Sequence, residues 1–307
     1  MPKKEKIKIL IADKINLDSL KPLNKGKFEV KTAFGISNEE ILESYSDYDV
    51  LVIRSVRRIE KDFIVKCNFK IIGTCSKGFD NIDIEAARNK KIKTLNIDEG
   101  NSISAAEHTI GLIISAMRNI VHSDKLVRAG KFNDHDFRRS ELFGKKVGVI
   151  GYGNVGSYVG KLAEAFGMNV YANDIDKKVT AKYKKVNFKS LNFILKNCDI
   201  ITIHIPMNKN NFHLFSYEKL NMLNKNTVLI NTSRGGVIDE AALLRKLKRN
   251  DLRCVCLDVF ESEPSPNKEF FKLSNVILTN HIAGKTEESA VKMPAELFKK
   301  IKNCYKK

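Results

Sequence analysis

Short apolar runs rich in Ile and Val recur along the chain, separated by stretches with helical spacing. In the first part they lie at Ile7–Ala12, Val50–Arg54, Phe69–Thr74 and Ile92–Asn96, with helical patterns at Asn38–Tyr45 and Ile82–Asn89. A second series opens at Lys146–Ile150 and continues at Asn169–Asn173, Ile200–Ile205, Thr227–Asn231, Arg253–Asp258 and Val276–Thr279. Helices are predicted among these at Ser157–Phe166 and Glu240–Lys248. Strands alternating with helices in this way imply a parallel sheet covered on both faces. The predicted fold class is α/β, with two doubly wound parallel-sheet domains.

Between the two series, Ser102–Asn119 reads as one helix, apolar nearly all the way round, with Ser104 and Glu107 as a capping box. A helix of that kind belongs between larger bodies, so it is read as the link between domains, near a subunit interface. The amphipathic tail Glu287–Tyr305 is expected to return to the first unit, with a kink or break at Pro294. The predicted domains are therefore residues 1–99 with 285–307, and residues 100–284.

Composition narrows the class. At 307 residues there is chain enough for two cores, and 43% apolar with 29% charged residues excludes a disordered protein. No apolar run approaches the roughly 20 residues of a membrane helix. The basic start at Met1–Lys6 is followed only by Ile9–Ala12 before Asp13, too short for a secretory signal, so a cytoplasmic setting is expected. Cysteines 67, 75, 198, 254, 256 and 304 show no framework spacing. Cys254 and Cys256 fall on one face of a strand and read as buried small hydrophobes, and no metal is expected. The net charge of +18 comes from lysines spread along the whole length, a surface bias rather than a nucleic-acid stripe. It favours anionic ligands through long-range attraction.

Gly151, Gly153 and Gly156 fit G-x-G-x-x-G, after a predicted strand and opening a predicted helix, with Asn154 and Val155 between them. The three glycines allow a tight turn, close approach of a pyrophosphate, and close helix–strand packing. The next strand ends beside Asp174, at about the 20-residue spacing of a ribose-binding acid. Its carboxylate would repel a 2′-phosphate, so NAD is expected over NADP, although Lys177 and Lys178 stand close by.

Three later segments each put a reactive side chain at or just beyond a strand end, where α/β sheets bind ligands. They carry Arg234, Glu263 and His281. Singly, each has a bland reading: a surface arginine, a turn-capping acid before Pro264, a loop histidine. Their recurrence at three successive strand ends argues for a shared site.

These segments resemble the D-isomer-specific 2-hydroxyacid dehydrogenases, and within them the phosphoglycerate-oxidising branch. The similarity runs in family order through Val52–Ser55, Gly78–Asp83, Gly100–Thr109, the glycine turn, His204–Pro206, Ser233–Glu240, Leu257–Pro264 and His281, nearly the whole chain. The resemblance implies a Rossmann NAD-binding domain as the larger of the two, with the active site in the cleft between domains. It implies that Arg234 holds the substrate carboxylate, that His281 exchanges the C2 hydroxyl proton, and that Glu263 orients the imidazole. It further implies cofactor contacts from His204, Pro206, Thr232 and Asp258, and substrate contacts from Arg54, Ser55, Gly78 and Asn101. Packing or backbone positioning also fits His108 and His204, and exposure is expected for His122, His135 and His213.

The chain departs from the pattern in places. Thr74 stands where many phosphoglycerate enzymes carry an arginine, and Lys77 is a candidate for the missing charge. Asn280 replaces a usual proline. Lys285 replaces a small residue and fits either an anion contact or a solvent-facing charge. The resemblance implies oxidation of D-3-phosphoglycerate with NAD by a homodimer, without the extra regulatory domain of some members. Reduction of hydroxypyruvate, glyoxylate or pyruvate is the alternative within the class. The family also includes nuclear corepressors that act as NAD-sensitive binding modules, but no nuclear-localisation run is evident.

Overall fold

The computed structural model describes residues 6–20, 23, 26–133 and 139–306. The expectations for Met1–Glu5 and His135 lie outside the described residues. Two compact units are present: one of Met1–Asn101 with Lys285–Lys307, the other Ser102–Gly284.

In the first unit five parallel strands are ordered β2-β1-β3-β4-β5. They are β1 (Ile7–Ile11), β2 (Phe28–Thr32), β3 (Val50–Ile53), β4 (Ile71–Thr74) and β5 (Lys93–Leu95). Between them lie α1 (Asn38–Ser44), α2 (Lys61–Lys66) and α3 (Ile84–Asn89). Successive β1 residues serve opposite cores: Ile9 and Ile11 pack on one face, Leu10 and Ala12 on the other. That two-sided burial is why the strands read as unbroken apolar runs.

The second unit holds seven parallel strands in the order β12-β11-β10-β9-β6-β7-β8. They are β6 (Lys146–Ile150), β7 (Asn169–Asn173), β8 (Asn187–Phe188), β9 (Ile200–Ile203), β10 (Val228–Asn231), β11 (Cys254–Leu257) and β12 (Val276–Leu278). The helices of this unit are α4 (Ser102–Arg118), α5 (Ile120–Arg128), α6 (Asn154–Ala165), α7 (Lys177–Lys182), α8 (Leu191–Asn197), α9 (Tyr217–Asn221) and α10 (Glu240–Lys248). In β10, Val228 and Ile230 join the core that contains α4, while Leu229 joins the core under α10. Strand order reverses between β6 and β9, which makes the ends of those strands the switch-point crevice of the sheet.

Two expectations need correction. Helix α4 already includes Ser104, which is buried in its first turn; a capping residue must precede the helix, so the Ser104–Glu107 box does not form. In the single chain Ile103, Glu107 and Gly111 form an exposed stripe on α4. Pro294 does not break the last helix, α11 (Glu287–Cys304), which runs through it and buries it. The lost backbone bond is offset by Leu297, Phe298 and Ile301, fully buried against β1, β3 and β4. The helix starts from a capping box of Thr286 and Ser289.

Candidate active site

The turn after β6 is built around two steric demands. Gly151 has φ +84°, and a Cβ there would lie 2.6 Å from the His204 carbonyl oxygen. At Gly156 a Cβ would stand 1.9 Å from the Gly151 carbonyl oxygen, so α6 starts this close to β6 only with glycine. A Cβ on Gly153, the residue before α6, would meet nothing within 4 Å. The turn thus leaves room at a helix amino end, where backbone N–H groups and the helix dipole suit a phosphate. Asn154 and Val155 form the first turn of α6.

Asp174 follows β7 half-buried; its Oδ2 accepts the Tyr152 N–H at 2.7 Å and its Oδ1 the Asp176 N–H at 2.9 Å. It ties the glycine turn to the end of β7 and keeps acceptor capacity for a ribose hydroxyl. These residues fit a dinucleotide. His204 lies just past β9, its N–H donating to the Ile150 carbonyl and its Nε2 2.9 Å from Thr202 Oγ1. Pro206 is exposed, and the Thr232 hydroxyl is 3.0 Å from that of Thr109 on α4.

The three reactive side chains follow neighbouring strands: Arg234 after β10, Glu263 after β11 and His281 after β12. Asn231 shapes the arginine turn, donating from Nδ2 to the Arg234 carbonyl and accepting from the Ser233 N–H and hydroxyl. The turn lies hard against the next loop, because a Cβ on Gly235 would sit 1.8 Å from the Phe260 carbonyl carbon. Glu263 is oriented by the Phe260 N–H, and its Oε2 is 2.7 Å from His281 Nδ1. A carboxylate acceptor fixes the proton on Nδ1, which leaves Nε2 to take or give a proton. Both side chains are solvent-accessible, at 46% and 35%. The arrangement can therefore run acid–base chemistry on a bound ligand.

Asp258 has no exposed surface, and its carboxylate accepts from Thr279 Oγ1, Ile282 N–H and Ala283 N–H. His108 is more than packing: its Nε2 is 3.2 Å from Thr279 Oγ1. His213 is half-buried rather than exposed, with Nε2 2.8 Å from Glu261 Oε1, because it sits in a cluster of acids. His122 is also half-buried. Ligand-type atoms of His213, Asp239 and Glu261 come within 4.8 Å of one another. Loop packing already employs them: Asp239 caps α10 and Glu261 accepts the Glu240 N–H.

In the first unit, Arg54 and Ser55 follow β3, at the switch point between β1 and β3. The Arg54 N–H donates to Asp13 Oδ2 at 2.8 Å. Asp13 Oδ1 in turn receives Arg57, whose other guanidinium N–H groups donate to Asn38 Oδ1 and to the carbonyls of Ile36 and Ala12. Sequence reading missed Asp13 and Arg57, which belong to no motif. Thr74 is fully buried, its hydroxyl 2.8 Å from that of Ser76. Lys77 and Lys285 are exposed, and Gly78 and Asn101 are half-buried.

Residues 110–283 match the family model of the D-isomer specific 2-hydroxyacid dehydrogenase NAD binding domain. The chain is 40% identical to D-3-phosphoglycerate dehydrogenase of Methanocaldococcus jannaschii, over 96% of this chain and 57% of that protein. It is 34% identical to hydroxypyruvate reductase of Thermotoga maritima, over 91% and 92% of the two chains. Among solved structures, an acyclic imino acid reductase in complex with NADPH and D-Arg superposes with TM-score 0.86. The two share 30% identity, over 97% of this chain and 96% of that one. The chain belongs to the D-isomer specific 2-hydroxyacid dehydrogenase family, and its second unit is the family's NAD-binding domain. It spans a little over half the length of the phosphoglycerate dehydrogenases it matches. No helix among the described residues is long and apolar enough to cross a membrane.

Proposed function

We propose that the protein oxidises D-3-phosphoglycerate to 3-phosphohydroxypyruvate with NAD, the reaction that opens serine synthesis. The observation that carries the chemistry is the 2.7 Å contact of His281 Nδ1 with Glu263 Oε2, at the ends of adjacent strands of an NAD-binding sheet. Bound at the glycine turn, NAD supplies the hydride acceptor. Arg234 grips the substrate carboxylate through its planar fork and draws electron density from the C2 oxygen. His281 Nε2 takes the C2 hydroxyl proton and returns it in the reverse direction, while Glu263 keeps Nδ1 protonated and balances the charge that develops. General acid–base action of this kind contributes about 10²–10⁴-fold. Asp174 receives the ribose hydroxyls, and Asn154, Val155, His204, Pro206 and Thr232 line the cofactor.

The 40% identity to a phosphoglycerate dehydrogenase supports the phosphorylated substrate. In this reading Arg54, Ser55, Lys77, Gly78 and Asn101 receive its polar tail. A second reading, reduction of hydroxypyruvate or glyoxylate, is favoured by the burial of Thr74 and by the full-length match to a hydroxypyruvate reductase. Exposed Ile103, Ile120, Val121 and Val127 on α4 and α5 support a homodimer.

Steady-state kinetics on phosphoglycerate, hydroxypyruvate and glyoxylate separates the substrates, and the highest kcat/KM is expected for phosphoglycerate. A preference for glyoxylate discards the phosphorylated substrate and keeps the class. His281→Asn is expected to abolish turnover while NAD still binds; persistent turnover removes His281 from the chemistry.

A further inference from the structure

A carboxylate with no exposed surface is costly to bury unless several donors meet it. Those that meet Asp258 come from the segment carrying His281. Thr279 Oγ1 donates to Oδ1 at 2.6 Å, the Ile282 N–H to Oδ1 at 2.9 Å, and the Ala283 N–H to Oδ2 at 2.9 Å. The Asp258 carbonyl also accepts the His281 N–H at 2.9 Å. Residues 279–283 therefore wrap around one aspartate.

In the middle of that wrap, His281 has φ +55°, a left-handed conformation uncommon outside glycine. Such a backbone persists only where its surroundings over-determine it. Behind the wrap stands His108 on α4, its Nε2 3.2 Å from Thr279 Oγ1 and 3.6 Å from Asp258 Oδ1. Since the Thr279 hydroxyl proton goes to Asp258, the threonine oxygen accepts from His108, which fixes a hydrogen on His108 Nε2.

We infer that Asp258, Thr279 and His108 form a positioning network that holds His281 in its left-handed backbone, with Nδ1 directed at Glu263. The inference rests on reading His281 as the acid–base group. It gives Asp258 a task distinct from the cofactor contact that the resemblance implies, and the two tasks have separable signatures. A positioning residue acts on kcat and on the pH–rate profile. A cofactor contact acts on NAD affinity.

The test uses the full chain with Asp258→Asn, Thr279→Val, Thr279→Ser and His281→Asn, reading kcat, the pH–rate profile and NAD affinity by calorimetry. Asp258→Asn turns an N–H towards a backbone donor and is expected to lower kcat by about 100-fold, the cost of misplacing a reacting group by ~1 Å. Thr279→Val removes a charge-assisted hydrogen bond and is expected to lower kcat by about tenfold or more. Both displace the pH–rate profile and leave NAD affinity unchanged, and Thr279→Ser, which keeps the hydroxyl, restores kcat. Thr279→Val carries the test should Asp258→Asn not fold. Loss of NAD affinity in Asp258→Asn with kcat intact at saturating NAD overturns the inference, as does wild-type kcat in Thr279→Val beside an inactive His281→Asn. Turnover in His281→Asn instead defeats the acid–base reading, and the network inference goes with it.

Discussion

Glu240 and Glu261 each accept the other's backbone N–H, at 2.8 and 2.9 Å, so the segment after Arg234 is stitched to the segment that ends in Glu263. Glu240 is the buried partner, and burial lifts its carboxyl above the ordinary glutamate value of 4.5. Folding therefore binds a proton more tightly at this site, and the stability it contributes is lost as pH rises through the folded value. A Glu240→Gln variant keeps an acceptor for the Glu261 N–H and removes the titration. Its melting temperature should fall less than that of the wild type as pH rises above 4.5. Parallel thermal melts check this, and an equal or steeper fall in the variant refutes it.

Gly235 offers a steric test of the same seam. A methyl group there would lie 1.8 Å from the Phe260 carbonyl carbon, a backbone atom that cannot rotate away. Gly235→Ala should force the two loops apart and cost about 1–3 kcal/mol or more in denaturant unfolding. Activity should fall further than stability does, because Arg234 precedes the displaced residue directly. Wild-type kcat/KM in a stable Gly235→Ala protein would contradict the seam.

Asp174 sets the expected cofactor preference. Asp174→Asn keeps an acceptor for the Tyr152 N–H, gives up the one for the Asp176 N–H, and removes the charge that would meet a 2′-phosphate, with Lys177 and Lys178 close in sequence. The ratio of kcat/KM for NAD over NADP should drop by about tenfold, corresponding to ~1.4 kcal/mol of relieved repulsion. An unchanged ratio excludes Asp174 as the discriminating group.

Arg57 and Asp13 form a nearly buried ion pair, each side chain 11% exposed. Arg57→Ala strands the Asp13 carboxylate and should cost about 3–5 kcal/mol of stability. Where Arg54 meets the substrate tail, the softened loop should also raise KM for phosphoglycerate more than for an unphosphorylated substrate. Chemical denaturation and paired KM values read the two effects separately, and an Arg57→Ala protein of wild-type stability refutes the first.

The chain announces its elements where burial is strong and hides them where it is weak. Strand β7 and helix α10 have the bounds that their patterns predict, whereas β2 leaves no clear pattern and α5, though amphipathic, is not among the predicted elements. Strand β2 pairs only with β1 and buries Phe28 alone, and α5 buries nothing. Without a core-facing side β2 shows no alternation to read, and the amphipathic α5 shows no burial to mark it as part of a core. Arg234, Glu263 and His281 stood out as candidates because each follows an apolar run that was visible. The side-chain partnerships were invisible: Asp13 and Arg57 are 44 positions apart, and His108 and Thr279 are 171 apart. Pro294 misled because a local propensity yielded to tertiary packing.

The divided first unit has a consequence for biosynthesis. Strands β1 to β5 leave the ribosome early, yet the face built from Ile9, Ile11, Val50 and Val52 is sealed by Leu297, Phe298 and Ile301. At ~5–20 residues per second, that apolar face waits on the order of ten seconds or more for its lid. The nucleotide-binding unit, contiguous from Ser102 to Gly284, is complete before then. The first unit is thus closed only after the second is complete, and in the interval its bare sheet presents an apolar face that a chaperone could cover.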